Sequence, residues 1–276
     1  MYDLAETEKP GDGIRLAYEA RRAGYTTVVA AGGDGTMNEV VNGLMQAAEP
    51  GETAGRLGFI PIGSGNDLAS MAGYGRSLEA AVRKIMQGRP RRIDVGWARI
   101  EGAGGTVERY FANNAGVGFE ARVTLESRRL NLGGALLYGV AALRALASYT
   151  TPSAHIRWET AQGAYEKKVE QILLIAIGNS ARTGGGFYLT PDAKLDDGLL
   201  DVGIAQAVSR WRIMVLLPKA LWGGHVSDPA VTMTRARRCQ ITCNGGLPIH
   251  LDGEVVMEDA RTIEIELEPQ RLEILV

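Results

Sequence analysis

Cysteine is nearly absent: Cys239 and Cys243 are the only two in 276 residues. They sit four apart in CQITC, which in a strand separates them by roughly 13 Å and excludes a disulfide between them. Without a CxxC pattern they offer no metal site, and a reduced, cytoplasmic protein is expected. Charge of one sign is not in excess either. With 30 basic and 32 acidic side chains the net charge is −2, so there is no global pull toward nucleic acid. Long apolar runs are lacking too. The charge-free stretch from Asn131 to Leu143 falls short of the roughly 18 residues that span a bilayer, so no transmembrane segment is expected. The N-terminus, MYDLAETEKPGDG, has acidic residues and a turn where a secretory signal has a basic start and an apolar run, so export is not expected.

What the chain has in surplus is glycine. It carries 36, against about 19 at the usual share of roughly 7%, and the extra ones fall in short clusters. The length admits one large or two medium domains. From residue 13 to 88 the pattern alternates helix and strand. A helix over 14–22 precedes a β-branched strand over 25–31. A helix then follows whose Met37, Val40, Val41, Leu44, Met45 and Ala48 share one face. Thr36 and Glu39 have capping-box spacing, which places that helix start just after Gly35. A strand over 57–62, a short helix from Leu68 and a helix over 78–86 complete the series. Two strand, glycine loop, helix units in succession predict a doubly wound α/β sheet.

Beyond Arg92 strand-like segments dominate, at 93–100, 107–115, 169–178, 199–205, 237–243, 262–267 and 272–276, with helices over 134–148 and 210–221. The expected fold is α/β in two domains: residues 1–92, and a mainly β, sandwich-like domain over 93–276. GRPRR is the expected hinge, and the last few residues are expected to return to the first domain. A cleft between the two is the expected ligand site.

Five segments carry candidate chemistry. GGDGT (32–36) lies between a strand and a helix. Gly32, Gly33 and Gly35 let the backbone approach a ligand, and the helix N-terminus presents unpaired N–H groups, which together form a phosphate cradle. Asp34 would repel phosphate unless a cation such as magnesium lies between them. The alternative is a tight turn in which Asp34 accepts hydrogen bonds. GSGND (63–67) lies at the corresponding end of the next strand and lines the same crevice, with capping by Asn66 or Asp67 as its plain alternative. Neither loop has the form GxxxxGK[ST] or GxGxxG, which disfavours a P-loop enzyme and a Rossmann dehydrogenase. In HLDGE (250–254) an extended backbone would set His250, Asp252 and Glu254 on one side, able to deprotonate a hydroxyl. Its alternative is a hairpin turning at Asp252-Gly253. DAKLDDGLLD (192–201) is either a cation-binding loop or a polar turn. Asp94, between Ile93 and Val95, is either an edge-facing surface residue or a second acid at the cleft.

Taken jointly, GGDGTMNEVVNGL, GSGNDLA, NSARTGGGFYLTPDAKLDDGLLD and HLDGE resemble the diacylglycerol kinase catalytic-domain family of soluble bacterial lipid kinases, related to sphingosine and ceramide kinases. GGDGT is shared with NAD kinases, while the other elements look like the lipid kinases. The resemblance spans nearly the whole chain. It implies transfer of the ATP γ-phosphoryl group to a lipid hydroxyl, with diacylglycerol or a related lipid as substrate. An NAD kinase, or a catalytically weak lipid- or nucleotide-binding regulatory protein, are the alternatives.

By motif match, the implied nucleotide contacts are Thr7, Gly32, Gly33, Asp34, Gly35, Thr36, Met37, Asn38 and Ser64, with Gly65, Asn66 and Asp67 in the same loop. Asp34 and Asp94 are implied to hold the catalytic Mg²⁺ of MgATP, and Asp197 with the carbonyls of Lys194 and Leu199 a second, structural Mg²⁺. Asp252 or Glu254 is implied as general base, the choice staying open. Family members usually open with a strand and an NPxSG loop, and this chain begins beyond it, so the first βα unit is expected to be lacking. The implied location is cytoplasmic, peripheral at the inner membrane surface. Leu136, Leu137, Val140, Leu143 and Leu146, preceded by Arg128 and Arg129, form either an interfacial surface or core. A homodimer stays open.

Overall fold

The first 90 residues alternate as their periodicity demands: α1 (Asp12–Arg22), β1 (Thr27–Gly32), α2 (Asp34–Ala47), β2 (Arg56–Pro61), α3 (Asp67–Met71) and α4 (Leu78–Gln87). The computed structural model describes residues 2–130 and 134–276, without the side chains of residues 134–136 and 138. β1 and β2 pair in parallel, from Thr27 opposite Arg56 to Gly32 opposite Pro61. Both strands therefore end at the same sheet edge, and their glycine turns leave side by side. The apolar face of α2 buries Met37, Val40, Val41, Leu44 and Met45 in one core with Leu57 and Phe59 of β2.

α2 begins earlier than the capping-box spacing suggests, at Asp34, with Gly33 as N-cap and no side-chain cap. Glu39 serves another helix. Its carboxylate accepts the Gly11 and Gly13 N–H groups at 2.8 and 2.9 Å, satisfying donors at the start of α1. Gly43 lets the two helices touch, since a Cβ there would lie 2.2 Å from the Ile14 carbonyl oxygen.

The rest of the chain is β3 (Pro90–Gly102), β4 (Gly105–Phe111), β5 (Asn114–Gly118), α5 (Phe119–Ser127), α6 (Gly134–Ser148), β6 (Ala154–Thr160), β7 (Gly163–Val169), β8 (Ile172–Gly178), β9 (Leu200–Gln206), α7 (Arg210–Lys219), β10 (Val231–Ala236), β11 (Arg238–Leu251) and β12 (Glu254–Leu275). The fold is α/β, with a β sandwich-like C-terminal part. β12 is its spine. Along most of its length it pairs antiparallel with β11 and β3, and at its end Glu273 and Ile274 join β2 in parallel opposite Arg56 and Leu57. All strands of the described residues thus belong to one connected sheet.

The GRPRR segment is not a hinge: Pro90, Arg91 and Arg92 are already paired with Leu275, Ile274 and Glu273. The strand read over 107–115 breaks at Ala112 and Asn113 into β4 and β5, and the one over 169–178 begins a separate strand at Ile172. β6, β10 and α5 escaped the sequence pattern because polar residues interrupt their short apolar alternation (HIRWET, TMTR), and α5 has no clear apolar face. Cys239 and Cys243 are buried free thiols on β11.

α6 turns three of its alanines inward. Ala141, Ala142 and Ala145 are buried, Leu143 is exposed, and Leu137, Val140 and Leu146 are half-buried; the Leu136 side chain lies outside the described residues. No helix among the described residues is long and apolar enough to cross a membrane.

The α1–α2 contact yields a direct test. Gly43→Ala overpacks a backbone-to-backbone approach, and a stability loss of about 1–3 kcal/mol is expected in urea denaturation. An unchanged midpoint would show that α1 moves off α2 freely.

Candidate active site

Four segments meet where β1 and β2 end: the GGDGT turn, the GSGND turn, the β11–β12 hairpin tip and the glycine-rich loop after Arg182. Together with Thr7 and Arg128 they line a cleft of about 660 Å³. The two glycine turns touch, since a Cβ on Gly63 would lie 2.4 Å from the Gly33 Cα.

The carboxylate of the first turn holds the second. Asp34 Oδ1 accepts the Asp67 N–H at 2.7 Å and Oδ2 the Asn66 N–H at 2.8 Å, so Asp34 caps α3 from a distance in sequence. Asn66, at φ 54°, does not cap the helix. Its side chain folds back onto Gly63, donating to the carbonyl at 2.6 Å and accepting the N–H at 3.1 Å. Gly65 is required here because a Cβ would meet Asp34 Oδ2 at 2.5 Å. Asp67 is also engaged, accepting Arg182 Nε at 2.7 Å and the Gly185 N–H at 2.9 Å. Burial, then the neighbouring Asp67 charge, pushes the Asp34 pKa up to about 6 against the pull of its two N–H donors. Negative charge is concentrated here without enough cation to neutralise it.

The hairpin reading of HLDGE is the one that forms. Asp252 and Gly253 have φ of 49° and 80° between β11 and β12, the conformation a two-residue primed turn requires. The extended trio does not form. Asp252 is buried and all its acceptor positions are filled: Oδ1 takes the Asn113 and Asn114 N–H groups, both at 2.9 Å, and Oδ2 takes the Ala112 N–H and Asn38 Nδ2, both at 3.0 Å. Burial raises its pKa above the ordinary carboxylate value, and the four donors oppose the rise. His250 faces away from the cleft, with Nδ1 accepting the Gly253 N–H at 3.2 Å and Nε2 lying 3.2 Å from Glu120 Oε1. Glu254 is the carboxylate of this turn that stays half-open on the cleft, steadied by Arg109 at 3.2 Å.

The structure disperses other expected site residues. Met37 is core, and Asn38 is buried on Asp252 rather than facing the cleft. Ser64 is exposed on its turn and does not line the cleft. Asp94 does not join Asp34: it is fully buried, with its carboxylate accepting the Gly198 N–H at 2.7 Å and the Gln270 N–H at 2.8 Å. It anchors the DAKLDDG loop from below, and burial raises its pKa. Asp197 is exposed on that loop and accepts the Leu199 N–H at 3.2 Å, while Lys194 is exposed beside it.

Sequence reasoning missed Arg182, Asn113 and Glu120. The glycines after Arg182 were the available signal for the first. Nothing local marks the other two. A larger groove of about 730 Å³ lies at β6, β7 and β11, where Arg157 pairs with Glu166 and Arg238 with Glu266, but none of the glycine or carboxylate motifs reaches it. The cleft at the glycine turns is the one that brings the motif residues together.

Residues 1–98 match the diacylglycerol kinase catalytic domain, and residues 113–276 the YegS C-terminal NAD kinase beta sandwich-like domain. "Probable lipid kinase YegS-like" of Chromohalobacter salexigens is 36% identical over 90% of this chain and 76% of that protein. The "Diacylglycerol kinase" of Bacillus subtilis is 31% identical over 88% of this chain and 76% of that one. The chain belongs to the YegS-like and diacylglycerol kinase-like lipid kinase family. Among solved structures, a diacylglycerol kinase from Bacillus anthracis matches 98% of this lipid kinase family member and 83% of its own chain, with a TM-score of 0.68 at 20% identity, which shows the shared fold.

Within this lipid kinase fold, the two carboxylates of the DGE turn separate by their hydrogen bonding. Asp252→Ala strands buried N–H donors and is expected to cost about 3 kcal/mol or more of stability. Glu254→Ala removes a half-exposed ion pair and should cost less than about 1 kcal/mol. Urea denaturation of the two variants measures the contrast, and equal losses would reject it.

Proposed function

We propose that this protein transfers the γ-phosphoryl group of MgATP to the hydroxyl of diacylglycerol or a related lipid, with Glu254 as general base. The observation that carries the choice is the occupancy of the DGE turn: Asp252 has four donors on its carboxylate, whereas Glu254 reaches the cleft with room to accept a hydroxyl proton.

The residues of the cleft fit a magnesium-bound polyphosphate. The α2 N-terminus lacks a side-chain cap, which leaves the N–H groups of its first turn to take phosphate oxygens. Asp34 brings a hard carboxylate to the same place. Among the described residues no three carboxylate, histidine or cysteine groups converge to chelate an ion alone. That agrees with magnesium, which is commonly shared between one or two carboxylates, water and substrate phosphates. Asp34, which lines the cleft, would hold it, and Asp94, fully buried and away from the cleft lining, would not. Asp197 with the carbonyls of Lys194 and Leu199 is the proposed second, structural magnesium site.

When bound, the ion supplies neutralisation of the phosphate charge during transfer. The chain does the rest. The glycine turns and α2 orient the phosphates, with Lys9 and Arg128 on the cleft wall as further positive groups. Arg109 orients Glu254, which accepts the proton of the attacking lipid hydroxyl. Asp252 holds the turn that carries Glu254. The lipid is met at a bilayer surface.

Transfer of labelled γ-phosphate from MgATP into the organic phase, over a panel of lipids in mixed micelles, tests this. Label in one lipid, abolished by EDTA, is expected. Glu254→Gln should lower kcat by about 10²-fold or more while thermal stabilisation by MgATP persists. Absence of label in every lipid would reject the proposal, and wild-type turnover in Glu254→Gln would remove that residue from it.

A further inference from the structure

α7, RWRIMVLLPK, is apolar on two opposite faces. Ile213 and Leu217, one turn apart, point inward to a cluster with Phe119, Ala142, Ala145 and Ala205, and Ala220 beyond them is buried. The other face carries Trp211, Met214 and Val215, and the 3₁₀ turn that follows (Ala220–Trp222) adds Leu221 and Trp222. These are open: Trp211 is 82% exposed, Val215 57% and Trp222 65%. Helices apolar all round are normally covered all round. Two of the four tryptophans of the chain stand on this one stripe, and the indole ring, apolar with a single N–H donor, suits the boundary between lipid headgroups and acyl chains.

The charge next to the stripe is positive. Arg210, Arg212 and Lys219 lie on the same helix. Arg212 is paired with Asp228 at 2.8 Å, while Arg210 and Lys219 make no ion pair among the described residues. An apolar stripe bearing tryptophan, flanked by cations, is the composition of a helix that lies in an anionic bilayer surface. A second copy of the chain fits less well. A stable interface takes about 20–30 residues a side, and one stripe on a ten-residue helix presents far fewer.

The stripe is joined to the cleft through one loop. The Ala220 carbonyl accepts the Tyr188 N–H at 2.7 Å, and His225 Nε2 lies 3.2 Å from the Leu189 carbonyl oxygen. The same loop begins with Arg182 and Gly185, which hold Asp67 in the cleft. Whatever seats α7 therefore seats a wall of the active site.

We propose that α7 and the adjoining 3₁₀ turn dock this protein on an anionic bilayer, with Trp211, Val215 and Trp222 entering the headgroup boundary and Arg210 and Lys219 on lipid phosphates. The choice of a bilayer as occupant rests on the lipid kinase reading above.

Co-sedimentation of the full chain with phosphatidylcholine vesicles, with and without phosphatidylglycerol, tests the surface directly. Burying one large apolar side chain is worth about tenfold in partitioning or more. Trp211→Ala with Trp222→Ala should therefore lower partitioning by at least about tenfold, with the melting temperature unchanged because both side chains are exposed. Arg210→Glu with Lys219→Glu should weaken binding to anionic vesicles and leave binding to neutral ones unchanged. Phosphorylation of a short-chain diacylglycerol, dissolved as monomer, should stay within about twofold in all these variants. Wild-type partitioning by the tryptophan double variant, or no vesicle binding by the wild type, would overturn the proposal. So would a dimer in sedimentation velocity that Trp211→Glu splits while vesicle binding persists. If no lipid is phosphorylated but binding still depends on the tryptophans, the docking surface stands and the kinase reading falls.

Discussion

The carboxylate of Asp252 is the constraint on which the active-site side of the molecule depends. It sits at the tip of a hairpin, in a backbone conformation that only a tight turn demands. There it replaces a strand as the partner of residues Ala112, Asn113 and Asn114, and takes Asn38 of α2 as its fourth donor. This is why the strand read over 107–115 breaks in two: the backbone N–H groups at the break point at a side chain instead of a neighbouring strand. Asn42, one turn along α2, does the same for Tyr110, accepting its N–H and donating to its carbonyl, both at 2.9 Å. Helix, sheet and hairpin are thus fastened through buried polar bonds, each of which is costly to leave unmade.

Around that anchor the molecule gathers like charges. Burial first, and then the charges of Asp67 and, last, Asp252, raise the Asp34 pKa. Backbone N–H groups on Asp34 and Arg182 on Asp67 offset part of this. A fold that needed only stability would not keep it, since an apolar replacement of such a cluster is often neutral or stabilising. The proposed magnesium ion, carried in with the nucleotide, would balance its charge.

The alternation of the first 90 residues, both glycine turns and the long helices at 134–148 and 210–221 were legible, because each rests on neighbours a few residues apart. The hairpin at Asp252-Gly253 was equally local, and the structure adopted it over the extended alternative. Glu39 shows the limit. Its spacing from Thr36 matches a capping box, yet two unsatisfied N–H groups at Gly11 and Gly13 compete for its carboxylate and win it. Asp94 shows the same limit, since a carboxylate between apolar strand positions reads alike whether it faces solvent or anchors a loop from beneath.

The sequence by itself determined the helices and strands of the first 90 residues, the glycine turns and the helices at 134–148 and 210–221, and that carboxylates and glycines share the same short motifs. Those properties follow from side-chain periodicity and backbone freedom, which act within one element. Only the tertiary structure decided which carboxylate of the DGE turn is occupied and which is open. The donors that occupy Asp252 stand between 138 and 214 residues away along the chain, and a hydrogen bond over that separation leaves no mark on local spacing. Exposure of the second apolar face of α7 was decided at the same level, because a stripe of tryptophan and valine reads as core until the rest of the molecule fails to cover it.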